Sequence, residues 1–181
     1  MKSDIIVVGA GTGGALAAKT AASLGLNTCL LERKKANSVG DKVCGDAIEG
    51  RDFKDLKIAL PKGEELENII RASKLYSPDL QVCKSLSEEG SEGYIINRLK
   101  FGQRLLKDAL DTGLEFHEEI MVLRPLFADN AVIGVEAKDM KTGEKKRFEA
   151  KIIIDASGFH SPLRKAMNSP YIESEIEKND Y

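Results

Sequence analysis

The sequence predicts an α/β fold with a parallel β-sheet, and three observations near its start support this prediction. Residues 5–8 form a short apolar run, as in a buried strand, and a glycine-rich turn follows at residues 9–14. Residues 12–24 are rich in alanine and predict a helix. Residues 27–31 then form a second strand that ends at Glu32. Strand, turn, helix and strand in this order are a βαβ unit, in which the two strands lie parallel.

The glycine spacing within the turn predicts binding of an adenine dinucleotide. Gly9 permits the tight turn, Gly11 lets the backbone approach a pyrophosphate, and Gly14 allows the helix to pack closely on the strand. The N–H groups that open the helix then point at the phosphates, where the helix dipole favours negative charge. Glu32 lies about 18 residues beyond Gly14, where an acid accepts hydrogen bonds from ribose hydroxyls. We therefore expect a dinucleotide ligand.

Composition excludes several classes of protein. The 181 residues suffice for one domain or one and a half, and a net charge of −2 gives no reason to propose a nucleic-acid partner. Cys29, Cys44 and Cys83 are scattered, which favours a reducing, cytoplasmic compartment. His117 and His160 lack clustered ligand partners, so no metal site is predicted. We expect neither a signal peptide nor a membrane span, because the first strand begins at once and no apolar run is long enough.

The middle of the chain predicts an insertion. Residues 34–50 lack periodicity and predict a loop, and a loop of this length in a compact domain is usually functional. Residues 51–93 are rich in charge and carry short β-like runs, with helical character also considered over 50–59. These runs lie at residues 69–70, 74–76 and 80–83. The pattern is typical of an inserted, partly β subdomain.

The remaining residues predict one helix and a series of strands. The elements expected in turn are a strand at 94–97, a helix at 98–112, and strands at 115–118, 120–127, 131–138 and 145–151. Residues 152–154 are three isoleucines and predict a separate short strand, buried in a parallel sheet. That strand ends in Asp155, Ala156, Ser157 and Gly158.

Several segments together resemble flavoproteins with the glutathione-reductase-type FAD fold, and within them the geranylgeranyl reductase family, which includes the archaeal digeranylgeranylglycerophospholipid reductases. The segments that carry the resemblance are residues 9–14, 32–33, 42–47, 94–98 and 155–158, with Ser161 and Arg164. The first and last motifs are shared by a wide class of flavoproteins. Residues 42–47, Lys-Val-Cys-Gly-Asp-Ala, narrow the resemblance to the reductases.

The resemblance implies a Rossmann-like FAD-binding fold with a β-meander and part of an inserted β-rich substrate domain. The FAD-binding domain would be discontinuous, over residues 1–50 and 94–168, and residues 51–93 would form the partial substrate or cap subdomain. Residues 169–181 form a polar tail at the point where members of the family normally continue. We therefore expect only the first part of the family's fold, without a second Gly-Asp segment that contacts FAD.

The resemblance also implies an activity. FAD would serve a reductase that saturates isoprenoid (geranylgeranyl) double bonds of lipids in archaeal membrane lipid biosynthesis. The electron donor stays open between NAD(P)H and a ferredoxin-like protein, and peripheral contact with a membrane surface is a further expectation. Two alternatives also stay open, an FAD-dependent monooxygenase of the aromatic hydroxylase type and a catalytically inert FAD-fold fragment.

The cofactor contacts implied by the resemblance run through the whole chain. They are Gly9, Gly11, Gly13, Gly14, Glu32, Arg33, Cys44, Gly45, Ala47, Arg98, Val122, Asp155 and Gly158. The resemblance places Arg98 near the pyrophosphate, and the chemistry agrees because a guanidinium fork matches phosphate geometry. The alternative is an exposed arginine in the first turn of a helix, which the dipole disfavours. The backbone of Val122 would meet the adenine. The basic residues at 33–35 have two interpretations, a solvated corner beside the cofactor or a site for an NADP phosphate.

Three residues keep two interpretations each. Cys44 is either a catalytic thiol tuned by its place near the flavin or a small residue that fills a tight loop. Ser161 and Arg164 are either cofactor neighbours or a helix cap and a surface charge. His160 is expected to be structural.

Overall fold

The computed structural model describes residues 2–86 and 92–167, which fall into two compact units. The first unit comprises Met1–Val39 and Gly102–Tyr181, and the second unit comprises Gly40–Phe101. The predicted polar tail at residues 169–181 lies outside the described residues. None of the helices in the described part of the chain is long and apolar enough to cross a membrane.

Within the described ranges, the strands and helices alternate as predicted at the start of the chain and then become mostly β. In chain order they are β1 (Lys2–Val8), α1 (Thr12–Ser23), β2 (Thr28–Leu31), β3 (Ala47–Glu49), α2 (Gly50–Asp55), β4 (Leu66–Ile70), β5 (Ser73–Tyr76), β6 (Cys83–Leu86), β7 (Gly93–Ile96), α3 (Arg98–Leu110), β8 (Glu115–His117), β9 (Ile120–Ala128), β10 (Ala131–Asp139), β11 (Lys145–Asp155) and α4 (Pro162–Lys165).

The first unit is built on a six-stranded sheet in the order β8-β2-β1-β11-β10-β9. The β1 strand pairs in parallel with both β2 and β11, and β8 is parallel to β2, which confirms the predicted α/β fold. The β9, β10 and β11 strands form an antiparallel meander. Side chains of β1 pack alternately on the two faces, Ile6 and Val8 in one core cluster and Ile5 and Val7 in the other. A strand buried on both faces is therefore apolar throughout.

The α1 helix packs closely on this sheet because its buried positions carry small side chains. Ala15, Ala18 and Ala21 are almost fully buried, and Ala18 and Ala21 join the core cluster of Ile5 and Val7. The α1 helix ends at Ser23. Gly25, two residues later, takes a φ of +82° and donates its N–H to the carbonyl of Ala22, a left-handed geometry that commonly follows a helix end.

The prediction of separate strands at 145–151 and 152–154 is wrong, because β11 is one continuous strand. Its first half pairs with β10 in antiparallel register and its second half pairs with β1 in parallel register. The change of partner occurs at Glu149, which has neighbours in both strands. Ile153 and Ile154 pack against opposite core clusters, whereas Ile152 belongs to neither and is 56% exposed. The expected burial of Ile152 is therefore also wrong.

The second unit contains a three-stranded antiparallel sheet in the order β3-β7-β4 and a separate hairpin of β5 and β6. Phe53 of α2 packs edge-on against the rings of Tyr94 and Phe101, with centroids 5.6 and 5.9 Å away, and this aromatic group forms the core. Because β3 pairs with β7, the unit extends beyond the predicted insertion at 51–93 on both sides.

Two predictions for the second unit are wrong in detail. The expected loop over 34–50 contains β3 at its end and a single 3-10 turn at Ala36–Ser38. The strand expected at 80–83 lies at Cys83–Leu86 instead, because the preceding residues make the hairpin turn. In that turn Ser77 donates its backbone N–H to Val82, and Leu80 has a φ of +58°.

Candidate dinucleotide site

The turn between β1 and α1 leaves no room for side chains at two of its glycines. Gly9 has a φ of +96°, and a Cβ built on it would lie 2.5 Å from the carbonyl oxygen of Ala156. A Cβ on Gly14 would lie 1.8 Å from the carbonyl oxygen of Gly9. Both distances are far below van der Waals contact. The structure thus agrees with the tight turn expected at Gly9 and the close helix packing expected at Gly14.

The other two glycines of the turn face open space. A Cβ on Gly11 or on Gly13 would meet no protein atom within 4 Å among the described residues. Gly11 occupies the N-cap position of α1, and its backbone carbonyl accepts the N–H of Ala15 at 2.8 Å. In the part of the chain that the structure describes, no side chain caps this helix end and no acidic residue occupies its first turn. The first N–H groups and the positive end of the dipole are therefore available to an anion.

Glu32 directly follows β2, beside this turn. Its side chain is only 7% exposed, and both carboxylate oxygens accept backbone hydrogen bonds. Oε2 accepts from the N–H of Ala10 at 2.6 Å, and Oε1 accepts from the N–H of Lys34 at 2.8 Å. A carboxylate has about four acceptor positions, so these two bonds leave capacity for hydroxyl donors of a ligand.

A cavity of about 310 Å³ opens at the carboxyl ends of β1 and β2. Its walls are Val8, Gly9, Leu31, Glu32, Arg33, Ile120, Met121, Val122, Leu123, Ser157, His160 and Pro162. The cavity brings together four predicted cofactor residues, Gly9, Glu32, Arg33 and Val122. Its volume is at the lower end of the range of small-molecule pockets, roughly 300–1,000 Å³, which suits one part of a dinucleotide.

Asp155, at the end of β11, organises the segment that faces Gly9. Its Oδ1 accepts hydrogen bonds from the backbone N–H and hydroxyl of Ser157, at 3.1 and 2.5 Å. Its Oδ2 accepts from the Ser161 hydroxyl at 2.7 Å and from the backbone N–H of Arg164 at 3.2 Å. Partial burial raises the pKa of Asp155, but the bonds from Ser157 and Ser161 outweigh it, so the pKa lies below its ordinary value. The carboxylate therefore stays charged and holds the turn.

The geometry of this turn bears on the two interpretations of Ser161. Ser161 occupies the N-cap position of α4 with a φ of 32°, but its side chain makes no capping hydrogen bond to the helix. Its hydroxyl binds Asp155 instead. Ser161 is therefore a helix cap by position, and its contact with the cofactor stays a prediction. Gly158, with a φ of +84°, has open space where a Cβ would stand.

In the second unit, Arg98 joins two residues of the loop at 42–47. Arg98 Nε donates to Asp46 Oδ1 at 3.1 Å, and Nη2 donates to the sulfur of Cys44 at 2.7 Å. The anionic partner that the helix dipole demands for Arg98 is thus present in the chain itself as Asp46. A guanidinium has five N–H donors, so these two bonds leave others for a further anion. Gly45 has open space at its Cβ position, and Ala47 begins β3 opposite Ile95.

The three cysteines differ in environment. The backbone N–H of Asp46, followed by the charge of Arg98, lowers the pKa of the exposed Cys44 thiol below its ordinary value. Burial, followed by the Glu115 carboxylate, raises the pKa of the Cys29 thiol to about 12. The positive charge beside Cys44 comes from the guanidinium of Arg98, 54 residues away along the chain.

The sequence profile of the FAD dependent oxidoreductase family matches residues 4–160, which include the turn, Glu32, Asp155 and the lining residues of the cavity except Pro162. The chain belongs to this family. FAD is accordingly its cofactor, as the sequence predicted.

Two relatives of this flavoprotein point towards isoprenoid chemistry. The digeranylgeranylglycerophospholipid reductase of Sulfolobus acidocaldarius is 37% identical over 91% of the chain and 36% of the relative. A geranylgeranyl bacteriochlorophyll reductase-like protein from Thermoplasma acidophilum superposes with a TM-score of 0.84 at 25% identity, over 93% of this chain and 42% of that one. The myxobacterial chondrochloren halogenase, with a TM-score of 0.72 and 22% identity, shares the fold. The chain spans about 40% of the length of these proteins.

The residues of the first unit fit the polar parts of FAD. The helix end of α1 offers backbone donors suited to a pyrophosphate, and Glu32 offers an acceptor suited to ribose hydroxyls. Four residues on the cavity wall were not among the predicted cofactor contacts, namely Met121, Leu123, Ser157 and His160. The available signal was their proximity along the chain to Val122 and Asp155. The involvement of each named residue in FAD binding stays a prediction.

Proposed function

We propose that this chain is the FAD-binding, N-terminal portion of a reductase that saturates isoprenoid (geranylgeranyl) double bonds of archaeal membrane lipids. The observation that carries the proposal is the similarity to a digeranylgeranylglycerophospholipid reductase, 37% identical over 91% of the chain. The match to the family's sequence profile, over residues 4–160, covers the turn of the first unit and the Cys44–Arg98 cluster of the second unit, defined as Cys44, Asp46 and Arg98.

In the first unit, the N-terminal N–H groups of α1 would hold the pyrophosphate of FAD. Gly11 and Gly13 would let the phosphate approach the backbone, because neither position has a side chain in the way. Glu32 would accept hydrogen bonds from the ribose, held in place by its own bonds from Ala10 and Lys34. Val122 and Arg33 would line the cavity that receives the adenine end.

The loop after β11 would pass close to the cofactor as backbone. Asp155 contributes by holding Ser157 and Ser161, so its carboxylate organises the loop and its effect on FAD is through position. Gly158 presents a surface without a side chain. When bound, FAD supplies the hydride chemistry, and the protein orients the reacting groups and excludes water.

In the second unit, we propose Cys44 as a catalytic residue, with Gly45, Ala47 and Arg98 as cofactor contacts. The support for Cys44 is its exposure and its lowered pKa, which Asp46 and Arg98 together produce. A lowered pKa increases the thiolate fraction, and such a thiol can hold or accept a proton. The support for Arg98 is a side chain that is only 17% exposed and therefore held in a defined position.

The substrate would be an isoprenoid lipid, with NAD(P)H or a ferredoxin-like protein as electron donor and a peripheral contact with the membrane. Apolar side chains exposed on the hairpin of β5 and β6 support contact with a lipid. They are Leu75, Tyr76, Leu80, Val82 and Leu86. Such a group of exposed apolar residues is unusual on a surface that faces only water.

Purification of the chain and its visible spectrum after addition of FAD test the proposal. We expect a yellow protein that, under chemical reduction, saturates a geranylgeranyl lipid. Failure to bind FAD would contradict the proposal. A yellow protein without reductase activity would favour the inert fragment, and oxygen-dependent hydroxylation would favour the monooxygenase. Unchanged FAD affinity in both Glu32→Ala and Arg98→Ala would contradict the residue assignment.

A further inference from the structure

The edge of the six-stranded sheet brings together three side chains that commonly bind metals. Cys29 of β2 lies opposite Glu115 of β8 in the parallel ladder, and His117 follows two residues later on the same face. The Cys29 sulfur, a carboxylate oxygen of Glu115 and a ring nitrogen of His117 all lie within 4.8 Å of one another. His117 Nε2 and Glu115 Oε1 are 2.8 Å apart. The 85 residues between Cys29 and Glu115 hide this cluster in the sequence.

The cluster combines a buried ligand with two accessible ones. Cys29 is 1% exposed, whereas the side chains of Glu115 and His117 are 37% and 34% exposed. The ring of Phe148 lies 5.3 Å from the imidazole of His117 and packs against the core cluster that contains Cys29. The sulfur is therefore held in a fixed place, while the other two ligands leave room for an ion to enter and for a water ligand.

We propose that Cys29, Glu115 and His117 form a binding site for a divalent cation of the zinc class. Thiolate, imidazole and carboxylate are the ligand types that zinc takes in proteins, and three protein ligands with one water complete a tetrahedron. With zinc bond lengths of about 2.0–2.3 Å, ligand atoms around the ion lie roughly 3.6 Å apart. The three ligand atoms, which lie within 4.8 Å of one another, would draw together by about 1 Å to reach that spacing.

Charge balance favours a dication at this place. A thiolate and a carboxylate carry two negative charges, and a neutral imidazole adds none. An anionic sulfur beside the Glu115 carboxylate in a partly buried position is costly by itself. One divalent cation cancels both charges, so the occupied site is neutral.

The site is separate from the FAD cavity and would stabilise the structure beside it. None of the three ligands lines the cavity. Strand β2, which carries Cys29, leads directly into Glu32, whose N–H donates to the carbonyl of His117 at 2.9 Å. A metal bound by β2 and the edge strand β8 would hold these two strands together just before the chain reaches Glu32. We therefore expect bound metal to raise the melting temperature.

Titration of the chelator-treated chain with Co²⁺ tests the proposal, because cobalt bound to a thiolate gives a charge-transfer absorption band. We expect the band to saturate at one equivalent and to disappear when Zn²⁺ displaces the cobalt. Cys29→Ser should abolish the band, and His117→Gln should weaken Co²⁺ binding by on the order of 100-fold. Cys83→Ser and His160→Gln, which lie outside the cluster, should keep it.

Thermal melts provide an independent readout of the same site. Zn²⁺ should raise the melting temperature of the unmodified chain and of Cys83→Ser, but not that of His117→Gln. His117 is partly exposed, so this variant tests the site even where a change at the buried Cys29 disturbs folding. The absence of a cobalt–thiolate band in the unmodified chain, or a band that persists in Cys29→Ser, would overturn the proposal.

Discussion

The glycine-rich turn of the first unit and the Cys44–Arg98 cluster of the second unit achieve order by opposite means. In the turn, backbone atoms approach so closely that Gly9 and Gly14 cannot carry a Cβ, and the partners lie a few residues apart or across one strand pair. In the cluster, the Arg98 guanidinium binds the side chains of Asp46 and Cys44, which lie 52 and 54 residues earlier in the sequence. The conformation of the glycine-rich turn thus requires residues without a side chain, whereas the Cys44–Arg98 cluster is held together by electrostatic pairing between side chains.

The largest loss of stability is expected from a substitution at Gly14, which tests the role of close backbone packing in the turn. Gly14→Ala places a methyl group 1.8 Å from the Gly9 carbonyl oxygen, and neither backbone segment can move without disturbing β1 or α1. We expect a loss of at least about 3 kcal/mol in the free energy of unfolding, measured by urea denaturation.

Gly13→Ala is the matched control for this change, one residue earlier in the same helix. Its Cβ meets no described atom within 4 Å, and alanine is the better helix former. We expect a gain of about 0.5–1 kcal/mol in unfolding free energy. Equal stabilities of the two variants would show that close packing does not shape the turn.

Glu32 combines close backbone packing with an electrostatic interaction, because its buried carboxylate holds the glycine-rich turn. In Glu32→Gln one carboxylate oxygen becomes an NH₂ group, which then faces a backbone N–H of Ala10 or Lys34 as a second donor. We expect a loss of about 1–3 kcal/mol in unfolding free energy. A urea midpoint unchanged from that of the original chain would mean that these bonds contribute nothing to the turn.

In the second unit, Arg98→Gln removes the cation beside Cys44 and should raise the pKa of its thiol. Iodoacetamide at neutral pH should then alkylate Cys44 roughly two- to fivefold more slowly, because less thiolate is present. The exposed Cys83 is an internal reference, and Lys100→Gln is a matched loss of charge at a residue paired with Glu64. Equal slowing by both substitutions would assign the effect to net charge alone.

The smallest expected effect is on the pH dependence of stability, and it concerns the turn at Asp139 in the first unit. Lys146, followed by the backbone N–H groups of Thr142 and Lys141, lowers the pKa of Asp139 from 3.8 to about 2. A lowered folded-state pKa stabilises the fold above pH 3.8, and the contribution is lost as the pH falls towards 2.

Asp139→Asn should therefore melt at a lower temperature than the original chain at neutral pH, and the difference should shrink as the pH falls through this range. Thermal melts at several pH values check the expectation, with the exposed Asp129→Asn as control. A difference that stays constant down to pH 2 would contradict it.

Much of the first unit could be predicted because its signals are local. The run of strand, glycine turn, alanine helix and Glu32 lies within 33 residues, and each part restricts the next. Helix α3 followed from its apolar periodicity, and Asn97 begins it by accepting the N–H of Lys100 at 3.1 Å. Gly9, Glu32, Arg33 and Val122 could be assigned from motif and resemblance, and the structure places them around one cavity.

The remaining features depend on pairing across long stretches of sequence. No sequence pattern near Cys44 predicts that Arg98 is its neighbour in space, and none near Cys29 predicts His117. The continuity of β11 could not be predicted because its two halves have different hydrophobic patterns. The first half pairs with β10 in the antiparallel meander, and the second half pairs with β1 in the parallel part of the sheet. The hairpin of β5 and β6 was displaced because Asp79 and Ser77 form a turn among residues that look β-like.

Titration of FAD into the purified chain and its Gly11→Ala variant tests the central claim, that the glycine turn holds the cofactor, most directly. A Cβ on Gly11 meets no described atom within 4 Å, so folding should be unaffected, whereas the methyl group would occupy the path of the pyrophosphate. We predict one FAD per original chain and a loss of affinity of at least about tenfold, roughly 1.4 kcal/mol, in the variant at an unchanged melting temperature. Equal FAD affinity in the two folded proteins would contradict the account.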